Sequence, residues 1–286
     1  MSTILVTGAT GQLGNEMRDL SKIHLVHNFL FTDIDELDIT NTQVVMSFVS
    51  NNKVDYIVNC AAYTAVDKAE DDILSCRKIN ALAVQNLAKA ASINGVRMIH
   101  ISTDYVYDGC GYRPYEEDDQ VAPVSVYGKT KLEGEKLLLD ACSQSVVLRT
   151  SWLYSSYGNN FVKTMLRLGE EKEQLSVVFD QIGTPTYAAD LAQAIMKIID
   201  SPEFVPGIYN FSDEGVCSWF DFAVSVHRIA GISKCKVLPI ESREYPAKAV
   251  RPFYSVMNKK KIKKTYKFDI PHWEESLEKC ITILMK

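Results

Sequence analysis

The sequence predicts an α/β protein: a doubly wound parallel sheet, with a smaller α/β unit in the C-terminal half. Three observations carry that expectation. Short apolar runs alternate with stretches of helical periodicity through the first 150 residues. Strands joined by helix-length connections are βαβ crossovers, which place helices on both faces of a parallel sheet. A glycine-rich turn, Gly8-Ala9-Thr10-Gly11-Gln12-Leu13-Gly14, separates the first strand from the first helix. Finally, 286 residues exceed what most single cores hold, so one large unit or two smaller ones are expected.

Residues 3–7 form the first strand, an apolar run that ends in the glycine turn. Leu13, Met17 and Leu20 then recur at helical spacing. Residues 28–33 read as a second strand, 42–50 as a helix and 55–60 as a third strand. Ile79, Leu82, Ala83, Asn86, Leu87 and Ala90 fall along one side of a long helix. Residues 97–102 read as a fourth strand, 126–140 as a helix and 145–150 as a fifth strand. The pattern then loosens. Residues 175–179 and 207–211 read as strands, and 187–199 and 218–229 as helices. Pro202, Pro206, Pro239, Pro246, Pro252 and Pro271 cut the rest into short pieces. The basic run at residues 259–264 reads as a solvated helix face.

Composition excludes several classes. With 47% hydrophobic and 23% charged residues, the chain is neither disordered, collagen-like nor a coiled coil. A net charge of −5 excludes a generally basic nucleic-acid binder. No run of about 18 apolar residues exists, so no membrane partner is expected. The N-terminus enters the glycine turn without the basic and apolar regions of a secretory leader. Seven scattered cysteines without a Cys-x-x-Cys pair fit a reducing cytoplasm better than a disulfide framework or a zinc site.

The glycine turn is suited to a dinucleotide. Gly8 permits a tight turn, Gly11 lets backbone approach a pyrophosphate, and Gly14 lets the helix pack closely on the sheet. The helix that starts at Gln12 and Leu13 offers its free N–H groups to phosphate. Asp33 ends the second strand, where a carboxylate accepts the adenine-ribose hydroxyls and repels a 2′-phosphate. Asp38 and Ile39 are placed to hold adenine, and Ala61, Ala62 and Tyr63 follow the third strand, where small residues let cofactor pass close. The cofactor expected is NADPH or NADH, with Asp33 tilting the choice to NADH. Residues 1–150 then form an NAD(P)-binding, Rossmann-like domain to which the segment around 175–200 returns, and 151–286 form mainly a substrate-binding domain.

Thr103 and Asp104 end the fourth strand, and Tyr127 and Lys131 share one face of the following helix. Of 14 tyrosines, only Tyr127 has a lysine four residues later. Reducing a ketone needs a hydride on carbon and a proton on oxygen. Tyr127 gives that proton if its pKa falls from about 10 toward neutrality. A Lys131 ammonium lowers that pKa and hydrogen-bonds the nicotinamide ribose, and the Thr103 hydroxyl polarises the carbonyl. Asp104 faces the substrate or holds the loop.

In these motifs the chain resembles the extended short-chain dehydrogenase/reductase family. The resemblance rests on residues 6–14, 58–70, 102–107, 126–131, 149–154, 158–161 and 180–186. It implies catalytic roles for Thr103, Tyr127 and Lys131 and a dTDP-sugar as partner, whose C4 ketone is reduced. It places Thr64, Val66 and Trp152 near the sugar, and Arg251 near the diphosphate, where a guanidinium pairs with two oxygens. Tyr105 stands where related dehydratases carry a proton-abstracting glutamate. Glu16 matches one carboxylate of a metal site known in some relatives, but Ala189 replaces the second, so no metal is expected. A homodimer through helices around 75–91 and 131–140 is expected. Other nucleotide-sugar reductases or epimerases stay open, as does a non-catalytic regulatory subunit like the methionine adenosyltransferase β subunit.

Overall fold

The structure is a computed structural model that describes residues 1–286. In the first half, β1 (Thr3–Thr7), α1 (Gln12–Ser21), β2 (Asn28–Thr32), α2 (Thr42–Asn51) and β3 (Tyr56–Asn59) follow in order. Then come α3 (Val66–Ala69), α4 (Ile73–Arg77), α5 (Ala83–Asn94), β4 (Arg97–Thr103), α6 (Val126–Ala141) and β5 (Ser145–Thr150). The second half holds β6 (Leu153–Tyr154), α7 (Phe161–Glu171), β7 (Gln174–Val178), β8 (Ile182–Gly183), β9 (Thr186–Tyr187), α8 (Ala188–Ile199) and β10 (Gly207–Asn210). It closes with β11 (Cys217–Ser218), α9 (Trp219–Ala230), β12 (Lys236–Ile240), α10 (Lys260–Tyr266) and α11 (Trp273–Leu284).

Six strands form one parallel sheet in the order β10-β5-β4-β3-β1-β2. The order reverses between β1 and β3, and a crevice opens at the C-terminal ends of strands at such a point. One apolar core covers the face that carries α1 and α8, with Met17, Leu191 and Ile195 fully buried. A second covers the opposite face under α2, α5 and α6, with Val45, Leu87 and Leu138. A third, around Phe222, Trp273 and Leu277, belongs to the second half.

Three expectations change. The long helix expected across residue 79 is interrupted by a π-helical turn at Lys78–Leu82. That turn aims Asn80 at the backbone of Tyr63, with Oδ1 accepting its N–H at 2.8 Å and Nδ2 donating to its carbonyl at 3.1 Å. The segment around 175–200 divides: α8 packs on the main sheet, whereas β7 pairs with β12 outside it. Gln174-Leu175-Ser176 alternates polar and apolar, and such a strand lacks the two-sided burial that a central parallel strand needs. The sixth strand is instead β10, from the half expected to hold substrate. The basic run is only partly solvated. Lys259 and Lys263 clamp Glu214 at 3.4 and 2.5 Å, Lys261 lies over the Tyr209 ring, and Ile262 enters the core.

Helix α6 is tied to the sheet by buried charge. Arg149 on β5 meets Glu135 on α6 through Nη2 at 2.7 Å and Nε at 3.0 Å, with both side chains at most 3% exposed. Ser102 on β4 donates to the same carboxylate, and Arg149 Nη1 donates to the Tyr107 hydroxyl at 3.0 Å. Removing one partner leaves an uncompensated buried charge. Glu135→Leu is therefore expected to cost about 3–5 kcal/mol, read as a shift of the urea unfolding midpoint. A loss under about 1 kcal/mol would show that the pair does not anchor the helix.

Candidate active site

Two cavities meet at the glycine turn. Gly8 has φ +64°, and a Cβ there would lie 2.7 Å from the Ala61 backbone, so this close crossing of the β1 and β3 ends admits only glycine. Gly11 caps α1 with no side-chain hydrogen bond, and the first turn carries no acidic residue. The helix N–H groups are thus left for an anion. This fits a dinucleotide pyrophosphate.

The outer cavity has a volume of 550 Å³ and is lined by Gly8, Gly11, Asp33, Asp38, Ile39, Ala61 and Ala62, together with Lys78. Asp33 Oδ2 accepts from the Thr10 N–H at 3.1 Å and from its hydroxyl at 2.5 Å. Burial works against the Asp33 charge, but the bonds from Thr10 and the Ile34 N–H outweigh it and hold the carboxyl below its ordinary range. Tyr63 lines neither cavity. The Asn80 clamp holds its backbone away, and its hydroxyl reaches Asp72 at 3.4 Å.

The inner cavity, 540 Å³, gathers the chemical residues. Gln12, Leu13 and Gly14 come from α1, Thr103 and Asp104 from the end of β4, and Tyr127 and Lys131 from α6. Thr64, Val66, Trp152 and Arg251 complete the expected set. Thr103 donates to Asp104 Oδ1 at 3.0 Å and accepts from the Tyr105 N–H at 3.3 Å. Asp104 is buried and its Oδ2 has no partner. Burial pushes its pKa up to about 7, against hydrogen bonds from Thr103 and Ser255.

Tyr127 stands edge-on to Tyr105, ring centroids 5.5 Å apart. Burial pushes its phenol well above the ordinary tyrosine range, a hydrogen bond with Thr103 pulls it back, and Asp104 and Cys76 push it further up. Tyr127 therefore carries its proton at neutral pH. The expected pairing with Lys131 is corrected. Lys131 Nζ donates instead to the Ile101 carbonyl at 2.5 Å and sits 3.5 Å from His100 Nε2. Its stem drops toward the sheet, where a backbone acceptor is nearer. Burial brings the Lys131 pKa down to about 8 against the opposing charge of Glu135.

Trp152 adopts φ +49°, an uncommon left-handed conformation for a bulky residue, and stacks on Trp219 at 3.8 Å. Arg251 Nη2 pairs with Asp67 Oδ2 at 2.8 Å, and Oδ1 of the same aspartate accepts from the N–H groups of Lys248 and Ala249. The loop is thereby pinned to α3. Glu16 lies away from the cavity, buried, and accepts from Ser155 at 2.5 Å. Trp219 and Cys60 also line the inner cavity and were not anticipated. An aromatic residue opening the helix expected at 218–229 was the available signal for Trp219. A third cavity of 420 Å³, mostly apolar, shares Trp219 and Arg251 with the inner one.

The family model described as RmlD substrate binding domain matches residues 1–285. The dTDP-4-dehydrorhamnose reductase of Aggregatibacter actinomycetemcomitans is 42% identical, covering 97% of this chain and 98% of the relative. A crystal structure of a dTDP-4-dehydrorhamnose reductase from Clostridium acetobutylicum is similar at a TM-score of 0.95 and 44% identity, covering 99% of this chain and all of that one. The Bacillus anthracis reductase, solved in complex with NADP, matches at 0.95 and 40%, covering 99% of each.

The Asp104 carboxyl, raised from 3.8 to about 7, holds its proton longer in the folded than in the unfolded chain. Its contribution to stability is therefore lost as pH rises across that interval. Asp104→Asn lacks this slope. Denaturant unfolding from about pH 4 to pH 8 is expected to show the variant gaining stability relative to the parent. A constant difference would show that Asp104 is ionised throughout.

Proposed function

The chain belongs to the RmlD substrate binding domain family, and from that premise we propose that it reduces the C4 ketone of dTDP-4-dehydro-L-rhamnose to dTDP-L-rhamnose with NADPH or NADH. The observation that carries the proposal is the inner cavity, which brings Thr103, Tyr127 and Lys131 together beside the open N-terminus of α1. The dinucleotide, when bound, supplies the hydride to the carbonyl carbon. Gly8, Gly11 and the first turn of α1 hold its pyrophosphate, and Asp33 accepts the ribose hydroxyls. Thr103 hydrogen-bonds the ketone oxygen, and Tyr127 delivers the proton to it as negative charge builds there. A phenol kept protonated by burial suits the reductive direction. Trp152, stacked on Trp219, forms a wall for the sugar in the cavity that Thr64 and Val66 also line. Arg251 reaches the diphosphate, and the mostly apolar third cavity takes the nucleoside.

Residues 1–150, with α8 and β10, serve as the cofactor unit, and the remaining second-half elements serve as the substrate unit. The same reading includes a cytoplasmic homodimer that needs no metal. The exposed Leu74, Leu82 and Leu139, on the outer side of α4 to α6, support the dimer, as seven free cysteines do the compartment. No helix is long and apolar enough to cross a membrane.

Purified protein given dTDP-4-dehydro-L-rhamnose is expected to oxidise cofactor and yield dTDP-L-rhamnose by NMR; no turnover with either cofactor would overturn the substrate assignment. Tyr127→Phe is expected to lower kcat by about 10²–10⁴ while leaving cofactor affinity nearly unchanged. Retained turnover would remove its role as acid. Asp33→Ser is expected to raise the ratio of kcat/KM for NADPH over NADH several-fold, because it removes a carboxylate facing the 2′ position. An unchanged ratio would place the discrimination elsewhere.

A further inference from the structure

The turn that follows Thr64 holds two carboxylates that the reaction above does not use. Thr64 and Val66 line the inner cavity, and α3 starts at Val66. Asp67 and Glu70 come next, with the fully buried Ala69 between them. Asp67 faces the segment before Pro252. Its Oδ1 accepts from the N–H groups of Lys248 at 3.2 Å and Ala249 at 3.0 Å, and its Oδ2 accepts from Arg251 Nη2 at 2.8 Å. Beyond Arg251 the chain is fixed separately. The Tyr254 N–H donates to the Gly109 carbonyl at 3.0 Å, and the Phe253 carbonyl accepts from the Ile182 N–H at 2.8 Å. Arg251 thus hangs between two anchors, with its Nε buried and unpartnered, where it lines both the inner and the third cavity. The N–H groups of Tyr245 and Ala247 bond only within their own segment, so Asp67 is the tie nearest the cavities on that side.

Glu70 reaches the other way. Its Oε1 accepts from the Val126 N–H, the first of α6, at 2.9 Å, and Ser125 Oγ takes the Gly128 N–H at 3.1 Å. The N–H groups of a first helical turn have no intrahelical acceptor, and a carboxylate is a favoured partner for them. Tyr127 is the next residue. This end of α6 lies close against the loop after β4, since a Cβ at Gly128 would sit 2.3 Å from the Tyr105 carbonyl oxygen. A small shift there moves the phenol. We propose that the turn is a bracket with two positioning residues: Asp67 presets Arg251 for the substrate diphosphate, and Glu70 presets Tyr127 for the carbonyl oxygen. Thr64 and Val66 belong to the same turn, so the contacts to sugar, diphosphate and acid share one frame.

Neither carboxylate holds the fold together. The side chains of Asp67 and Arg251 are 45% and 29% exposed, and ion pairs so open add little to stability. Glu70 satisfies a helix terminus that water also serves. Variants at both positions are therefore expected to fold, and their effects to fall on the site.

The kinetic consequence rests on the proposed reductase reading, but the bracket does not. Residue-resolved amide exchange on the ligand-free protein is expected to find Lys248, Ala249 and Val126 protected. Asp67→Ala is expected to free the first two and leave Val126 protected, and Glu70→Ala to do the reverse. With dTDP-4-dehydro-L-rhamnose, Asp67→Ala is expected to raise KM about tenfold or more, with kcat within about twofold. Glu70→Ala is expected to lower kcat about tenfold or more, with KM within about twofold. Glu70→Gln keeps an acceptor for the Val126 N–H and is expected to restore kcat. A merely structural turn would move kcat and KM together in both alanine variants, and that result overturns the proposal. So do wild-type amides that exchange freely, exchange unmoved by the substitutions, or an alanine variant that does not fold. Wild-type protein without turnover, but with exchange as expected in all three proteins, would count against the reductase reading only.

Discussion

The ion pair between Glu135 and Arg149 is the constraint on which the site depends. It crosses from α6 to β5 with both partners buried, and Ser102 and Tyr107 fill the remaining hydrogen-bonding positions. A pair so enclosed adds little to net stability over an apolar replacement, but it has one geometry that satisfies every group. Tyr127 and Lys131 lie two turns and one turn before Glu135 on the same helix. Seating Glu135 on Arg149 therefore sets how far α6 slides along the sheet, and with it where the phenol meets Thr103.

Burial then governs the chemistry. The same desolvation pushes Tyr127 and Asp104 toward their protonated forms and Lys131 toward its neutral one. An interior stripped of free charge makes every later electrostatic contact count for more. The net charge of −5 opposes polyanionic ligands. Their recognition falls to local features, namely the uncapped N-terminus of α1 and the Arg251 guanidinium, whose Nε is buried without a partner.

The second half builds its side of the cavity with backbone strain, stacking and one ion pair. Trp152 accepts a left-handed backbone because Trp219 covers its ring face and Gly183 leaves room beside it; a Cβ at Gly183 would sit 2.6 Å from the indole. Asp67 holds the segment that carries Arg251 through three hydrogen bonds. Both devices join parts of the chain far apart in sequence.

What the sequence determined by itself was local. Alternating apolar runs specify the first five strands, because two-sided burial needs continuous hydrophobic residues. The spacing of Gly8, Gly11 and Gly14 specifies a tight turn onto a helix N-terminus, and Tyr127 and Lys131 share a helix face because they are four residues apart. Tertiary structure decided what those side chains meet. No spacing shows that Asn80 pulls Tyr63 away from the cofactor cavity, since that depends on a π turn in a helix of ordinary periodicity. Nor does any spacing show that β10 rather than β7 completes the sheet. Lys131 was placed on the correct face by its sequence, but its partner was chosen by depth. The sheet beneath it offers the Ile101 carbonyl, to which Nζ donates at 2.5 Å, and a buried amine takes a backbone acceptor within reach.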